Sequence, residues 1–192
     1  MSQNSTTQSQ DEAVDTDEEL MLAYAQGNAL AFEQLYQRHK HIVYRYFAQQ
    51  CRSVSLAEEL CHDTWLKLIN ARSSYIKTAK FRTYLFTIAR NTMIDINKKK
   101  SVHGEQSTEP DEHEILNNDG CAAVENQQLA NALHKQINAL PPKQRDVFIL
   151  KQQSGFTIEQ IAAITEQQRE QVKSSWRYAL QRLRKGLSHY AK

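Results

Sequence analysis

Lys80, Arg82, Arg90, Lys98, Lys99 and Lys100 lie on or beside the stretch FRTYLFTIARNTMIDINKKK, where Asp95 is the one opposing acid. Unpaired cations at that density carry no covalent chemistry; they bind polyanions. A second group, Gln168, Arg169, Glu170, Gln171, Lys173, Ser174 and Arg177, has side chains suited to base edges and phosphates. Arg bonds guanine bidentately, Gln bonds adenine, and Glu accepts from cytosine. Covalent catalysis has less support. Cys61, His62 and Asp63 are consecutive, and neighbours on a helix point about 100° apart, too far for a relay. His39 and His41 lack the i, i+4 spacing by which two helix histidines share a metal. With 5 glycines in the chain, a phosphate-cradling loop has no material. No catalytic residue, metal or cofactor is expected, and an enzyme reading would need a clustered polar pocket.

The elements that position these groups follow from composition and periodicity. The 192 residues hold 40% hydrophobic side chains and 3 prolines, enough for small helical cores. Apolar runs are far shorter than a membrane span. The N-terminus lacks an apolar signal core and the cysteines number three with no CxxC, so a reducing cytoplasm is expected. Net charge is +2, but it is unevenly spread. Residues 1–19 carry six acids and no base; 71–100 carry eight Lys/Arg against one Asp; 101–124 carry six acids and no base; 125–192 carry eleven Lys/Arg against five acids. Two basic blocks flank an acidic spacer, a pattern that points to a polyanion partner.

A disordered tail is expected over 1–16. A first helix should stop at Gly27. A second runs from about Asn28 to Gln50, burying Phe32, Leu35, Tyr36, His39, Val43, Tyr46 and Phe47. A third starts with a capping box of Ser55 and Glu58 and buries Leu60, Cys61, Trp65, Leu68 and Ile69. ARSSYIKT reads as a loop. In the cationic helix, Phe81, Leu85, Ile88, Thr92 and Ile96 form the buried stripe, which leaves the cations outward.

After an acidic linker at 101–124, Leu129, Leu133, Ile137 and Leu140 mark another helix, ended by Pro141-Pro142. KQRDVFILKQQ is a short helix. Thr157 and Gln160 make a capping box for the next, and Val172, Trp176, Leu180, Leu183 and Leu187 give a final helix its seam. A turn at Thr165–Gln167 makes this pair a helix-turn-helix, whose second helix enters the major groove. Lys173, Arg177, Arg182, Arg184 and Lys185 suit phosphates, which position without specifying. The linker reads either as a solvated tether or as an acidic strand for a basic channel.

In this order the segments resemble a bacterial RNA polymerase sigma factor of the extracytoplasmic function group: DEELMLAYAQGNALAFEQLYQRH, SLAEELCHDTWLKLI, KFRTYLFTIARNTMIDINKKK and LPPKQRDVFILKQQSGFTIEQIAAITEQQREQVKSSWRYALQRLRK. The resemblance implies that Glu58, Glu59, His62 and Asp63 meet the β′ clamp helices of core RNA polymerase. It implies that Ser73, Ser74, Tyr75, Lys77, Lys80, Arg82, Tyr84 and Asn91 engage the melted minus-ten strand, where cations hold phosphates and flat or polar groups take splayed bases. It implies that Gln168, Arg169, Glu170, Gln171, Lys173, Ser174 and Arg177 read the minus-thirty-five element, with the β flap as a further polymerase contact. An anti-sigma factor is an expected partner. Tyr84 stands where the family usually has Trp, Glu166 where Gly is frequent, Gln167 where an apolar residue is usual and Ser175 where Arg is common.

The expected fold is all-α: an N-terminal helical bundle (17–100, sigma region 2) and a C-terminal four-helix domain with a helix-turn-helix (125–192, sigma region 4), joined by a flexible acidic linker. The expected function is promoter-specific transcription initiation with core polymerase, in the cytoplasm. The rival readings are a stand-alone helix-turn-helix regulator and a structural adaptor, which would show no salt-dependent DNA binding.

Overall fold

The computed structural model describes residues 15–51, 53–77, 79–103, 124–152 and 154–188. Cys121 and nearly all of the expected acidic linker and N-terminal tail lie outside them. The described secondary structure is helical throughout. Four helices precede the linker: α1 (Asp17–Ala25), α2 (Ala29–Ala48), α3 (Val54–Asn70) and α4 (Phe81–His103), with a short 3-10 turn at Arg72–Ser74. Four follow it: α5 (Val124–Asn138), α6 (Pro142–Gln152), α7 (Ile158–Thr165) and α8 (Arg169–Gly186).

Local chemistry sets the helix ends. Thr16, placed in the tail by its sequence, is the N-cap of α1 and forms a reciprocal capping box with Glu19. Gly27 takes φ 101° and turns the chain after α1. Asn28 then caps α2 through its side-chain oxygen, which accepts from Leu30 and Ala31. At α3 the expected capping box is absent. Ser53 is the N-cap, its Oγ accepting from Leu56 N–H at 3.1 Å, so Ser55 and Glu58 already lie inside the helix. Pro142 opens α6, where its missing N–H costs nothing.

The first four helices bury Leu35, Val43, Phe47, Leu60, Leu68, Phe81 and Leu85 completely. Phe81, Leu85 and Thr92 of the expected α4 stripe are buried; Ile88 and Ile96 are half-buried. Tyr36, expected inside, is 37% exposed and lies against Trp65 with ring centroids 5.0 Å apart. In the second group, Val147, Ile149, Leu150, Ile161, Ile164, Val172 and Ala179 close the core, while Leu133 stays 37% exposed.

The Thr157–Gln160 capping box forms as its spacing predicts. Replacing Thr157 by Ala should lower stability by about 1 kcal/mol. Glu166 ends α7 at φ 54°, the left-handed region, with its N–H bonded to Ala162 O. Glu166→Gly should therefore stabilise by about 1 kcal/mol, because glycine adopts that conformation without strain. Paired chemical denaturation of the two variants checks both signs.

The two helical groups also pack on each other. Helix α4 lies against α7, and Phe86 meets Phe156 edge-on with centroids 4.8 Å apart. Phe86 and Phe156 are 0% and 1% exposed. Arg90 pairs with Asp146 of α6 at 2.8 Å, and the Tyr46 hydroxyl of α2 donates to the same carboxylate at 2.9 Å.

Candidate nucleic-acid interface

Three surfaces carry the expected functional residues. The first is a groove of about 400 Å³ between α2 and α3, lined by Tyr36, Lys40, His41, Tyr44, Glu58, Cys61, His62 and Trp65. Glu58, Glu59 and His62 are exposed on α3 and Asp63 is half-buried. The opposite wall, from α2, supplies aromatic and cationic groups that the sequence left within or beside a buried stripe. Burial pushes the Cys61 thiol up to about 12, so it stays protonated and unreactive. No group of His, Cys, Asp and Glu among the described residues could hold a metal ion.

The second surface runs from the 3-10 turn along α4. Ser73, Ser74, Lys77 and Lys80 are exposed, as is Asn91 one helix face further on. Ser74 Oγ donates to Ala71 O at 2.8 Å and fixes the turn. Tyr75 is buried against Tyr84, centroids 5.2 Å apart, and its hydroxyl has no hydrogen-bond partner among the described residues. That burial raises its pKa. Tyr84 is half-buried.

Arg82 departs from the outward position expected of it. Its Nη2 donates to Ser154 O at 2.7 Å, and its guanidinium lies 5.0 Å from the centre of the Phe156 ring. Arg82, Phe86 and Arg90 fall at i, i+4 and i+8, so they form one stripe, and it faces α6, α7 and the turn between them. Thus α4 has two packed faces rather than one. The apolar face holds it to its own bundle, and this mixed face meets the second bundle. Lys80, Lys98 and Lys99 remain exposed. Asp95, the helix's lone acid, is taken by Lys67 of α3 at 2.8 Å, a bond that holds its carboxyl below the ordinary range.

The third surface is α8. Gln168, Arg169, Glu170, Gln171, Lys173 and Arg177 are exposed, and Ser174 is half-buried. Gln168 N–H donates to Gln171 Oε1 at 3.1 Å, so Gln171 serves the helix N-terminus here. Arg169 bonds Glu159 of α7, and Lys173 bonds Glu170 at 2.7 Å. The Lys173 bond lowers the Glu170 pKa. These pairs are open to water, and exposed pairs hold weakly enough to yield to a phosphate. Arg182, Arg184 and Lys185 extend the basic edge.

Supporting residues remote in sequence position these surfaces. Glu18 Oε1 accepts from Phe81 N–H at 2.8 Å, capping α4 from α1. A hint of this lies in the chain: Lys80, just before the helix, cannot cap it. Asp17 Oδ2 lies 2.7 Å from His39 Nε2, and Asp17 Oδ1 accepts from Arg38. Burial holds the His39 pKa below 6.5, opposed by Asp17 and assisted by Arg82 and Arg38. The folded chain therefore takes up this proton less readily than the unfolded chain. The resulting stability is present above the unfolded value of 6.5 and lost as pH falls through the lowered folded value. Between about pH 7 and 5, above the ordinary carboxylate range, Tm should fall more for the wild type than for His39→Gln. Parallel calorimetry across that window checks the difference.

Comparison with known proteins bears on all three surfaces. Residues 32–102 match Sigma-70 region 2, and residues 130–185 match Sigma-70, region 4. RNA polymerase sigma factor CarQ of Myxococcus xanthus is 29% identical over 147 residues, 75% of this chain and 82% of its own. ECF RNA polymerase sigma factor SigM of Mycobacterium tuberculosis is 26% identical over 174 residues, covering 91% of this chain and 86% of its own. Among solved structures, CnrH in complex with the cytosolic domain of CnrY aligns with TM-score 0.70 at 20% identity, over 93% of this chain and 100% of that one. RpoE in complex with the anti-sigma factor NepR from Bartonella quintana aligns with TM-score 0.70 at 24% identity, over 82% and 96%.

Proposed function

The chain belongs to the sigma-70 family, and we propose that it acts as an extracytoplasmic function sigma factor, with region 2 over 17–100 and region 4 over 125–192. It binds core RNA polymerase and directs initiation at particular promoters. The α2–α3 groove, lined by Glu58 and His62, and the neighbouring Glu59 and Asp63 of α3 are assigned to the β′ clamp helices. The turn before α4 and the exposed part of that helix are assigned to the minus-ten strand, where Ser73, Ser74 and Asn91 offer hydrogen bonds, the half-buried Tyr84 offers a ring edge and Lys77 and Lys80 offer charge, while the buried Tyr75 supports the turn from within. The N-terminal turns of α8 are assigned to minus-thirty-five base edges, and Arg182, Arg184 and Lys185 to phosphates.

The observation that carries this reading is the region 2 match over 32–102 in the same chain as region 4. A stand-alone helix-turn-helix regulator has no use for that bundle, its groove or its cationic helix. On this reading, bond formation belongs to the polymerase. Its place of work is then the cytoplasm, beside the polymerase. An anti-sigma factor is proposed as its inhibitor, since CnrH and RpoE are each solved with a bound partner, in RpoE's case named an anti-sigma factor.

In vitro transcription from genomic fragments tests the reading. Core polymerase with this chain should yield start sites that core alone does not. Operator-type binding without polymerase, and no new start sites with it, would favour the regulator.

A further inference from the structure

Helix α4 begins without a cap of its own. Lys80 O accepts from Tyr84 N–H at 3.2 Å, which makes Lys80 the N-cap residue. A lysine side chain has no acceptor to turn back on the helix. The missing acceptor comes from α1: Glu18 Oε1 takes the Phe81 N–H at 2.8 Å, in a half-buried setting. The neighbours of Glu18 hold it there. Asp17 accepts from Arg38 at 2.9 Å and lies 2.7 Å from His39, both on α2. Glu19 closes the capping box with Thr16. The three acids that open α1 therefore serve three helices: α2, α4 and α1 itself. The same contact reaches the turn assigned to the minus-ten strand, because α1 packs on the 3-10 turn at Arg72–Ser74 as well as on α4. The fully buried Phe81 ring lies 5.3 Å from the His39 ring and 6.5 Å from the Tyr75 ring, and Tyr75 lies 5.2 Å from Tyr84. Burial raises the Tyr75 pKa and the Glu18 carboxylate adds to the rise, so that acid stands beside the turn as well as the helix.

We propose that Glu18 is a positioning residue for minus-ten recognition: by bonding the first N–H of α4 it fixes the strand-facing turn against that helix, and with it the register in which unpaired bases are read. The inference rests on the sigma-factor reading and names a residue outside the strand-facing set. Glu18 is half-buried, whereas Ser73, Ser74, Lys77, Lys80 and Asn91 are exposed, so it acts through them. Charge alone holds a strand at any register, since phosphates repeat along it. Bases are told apart only where the groups that meet them keep fixed places. Loss of a cap shifts the order of a helix end about fivefold. A strand read in register bears that factor; a strand held by Lys77 and Lys80 charge alone does not.

Promoters recovered from genomic fragments with core polymerase and the full-length chain would be remade with single-base changes across both elements. Competitive transcription then compares wild type, Glu18→Ala, Glu18→Gln and Glu33→Ala. Glu18→Ala should lower discrimination among minus-ten changes about fivefold and leave the ranking of minus-thirty-five changes as in wild type. Glu18→Gln keeps an acceptor oxygen at the same reach and should discriminate as wild type does. Glu33→Ala, the same charge change on an exposed face of α2, should do so too. A merely structural loss scales the output of every promoter alike, and circular dichroism reads the folded fraction of each variant. Amide hydrogen exchange supplies a second measurement: the Phe81 N–H should exchange faster in Glu18→Ala, while α8 keeps wild-type rates. Wild-type proportions among minus-ten changes for Glu18→Ala, or a Glu18→Gln as indiscriminate as Glu18→Ala, would overturn the assignment. Unchanged exchange at Phe81 would do the same. Absence of any new start site with the wild-type chain is a different result: it strikes the sigma-factor reading first and this inference with it.

Discussion

Phe86→Ala is expected to lower the free energy of unfolding by about 3–5 kcal/mol, as large-to-small changes of fully buried aromatics do. Phe86 is 0% exposed, and its ring touches two partners: Tyr46 of its own bundle at 5.4 Å and Phe156 of the other at 4.8 Å. The substitution thus opens a cavity and cuts the aromatic bridge between the units. The second effect has its own signature. Phe156→Ala removes the same bridge from the other side, along with the ring beneath Arg82. If the bridge is real, the double variant should lose less than the two single losses combined, by about 0.5–1.5 kcal/mol. Leu60→Ala, buried within the first bundle alone, supplies the contrast: a similar loss, additive with Phe156→Ala. Urea unfolding followed by circular dichroism reads each single and double variant. Strict additivity of Phe86 and Phe156 would mean that the units unfold without sensing each other.

Much of this architecture was legible in residue order. Helix positions followed from apolar spacing, because each helix needs only one buried stripe and water selects for the polar remainder. The Thr157 capping box and the Gly27 turn were readable because both are local; every atom involved lies within a few residues. The α3 start was misplaced by two residues for the opposite reason. Ser53 and Ser55 are both competent caps, and the choice between them depends on which register buries Ala57, Leu60 and Leu68 together. Local chemistry alone is silent on that register.

The site was legible in type and illegible in disposition. Cations on α4 raised the expectation of a polyanion partner, yet nothing in the order of residues distinguishes Arg82 and Arg90 from Lys80 and Lys98. What separates them is Asp146, Ser154 and Phe156, brought up by a different unit of the chain. Glu18 at the start of α4 is the same case: the helix lacks a cap of its own, and the group that supplies it is 63 positions away. Tyr46 and Asp146, 100 positions apart, complete the pattern. Contacts between bundles carry no periodicity, so pattern reading passes over them. Chemically they were visible only as oddities, such as a lone Asp in the apolar run RDVFIL.

The difference between exposed and packed cations yields the last prediction. Promoter binding by the polymerase-bound protein should fall steeply with salt, because each phosphate contact releases counterions, with a log–log slope of about −0.9 per contact on duplex DNA. Arg177, Arg182, Arg184 and Lys185 are all exposed on α8. Changing the four to Gln should flatten the slope by about 3–4 and weaken every promoter alike, since phosphate contacts are blind to sequence. Arg169→Gln should behave differently. Its side chain stands at the first turn of α8, bonded to Glu159 of the preceding helix, a position the proposal gives to base edges rather than phosphates. Loss of a bidentate base contact should cost about 1–3 kcal/mol on a preferred promoter, and little on others. Glu159→Gln releases Arg169 from its acid and should raise affinity modestly without altering the ranking of promoters. Competition binding across a salt series, with a panel of minus-thirty-five variants, separates the two classes. A uniform loss for Arg169→Gln would move it into the phosphate-binding set and leave base reading to Gln168, Glu170 and Gln171.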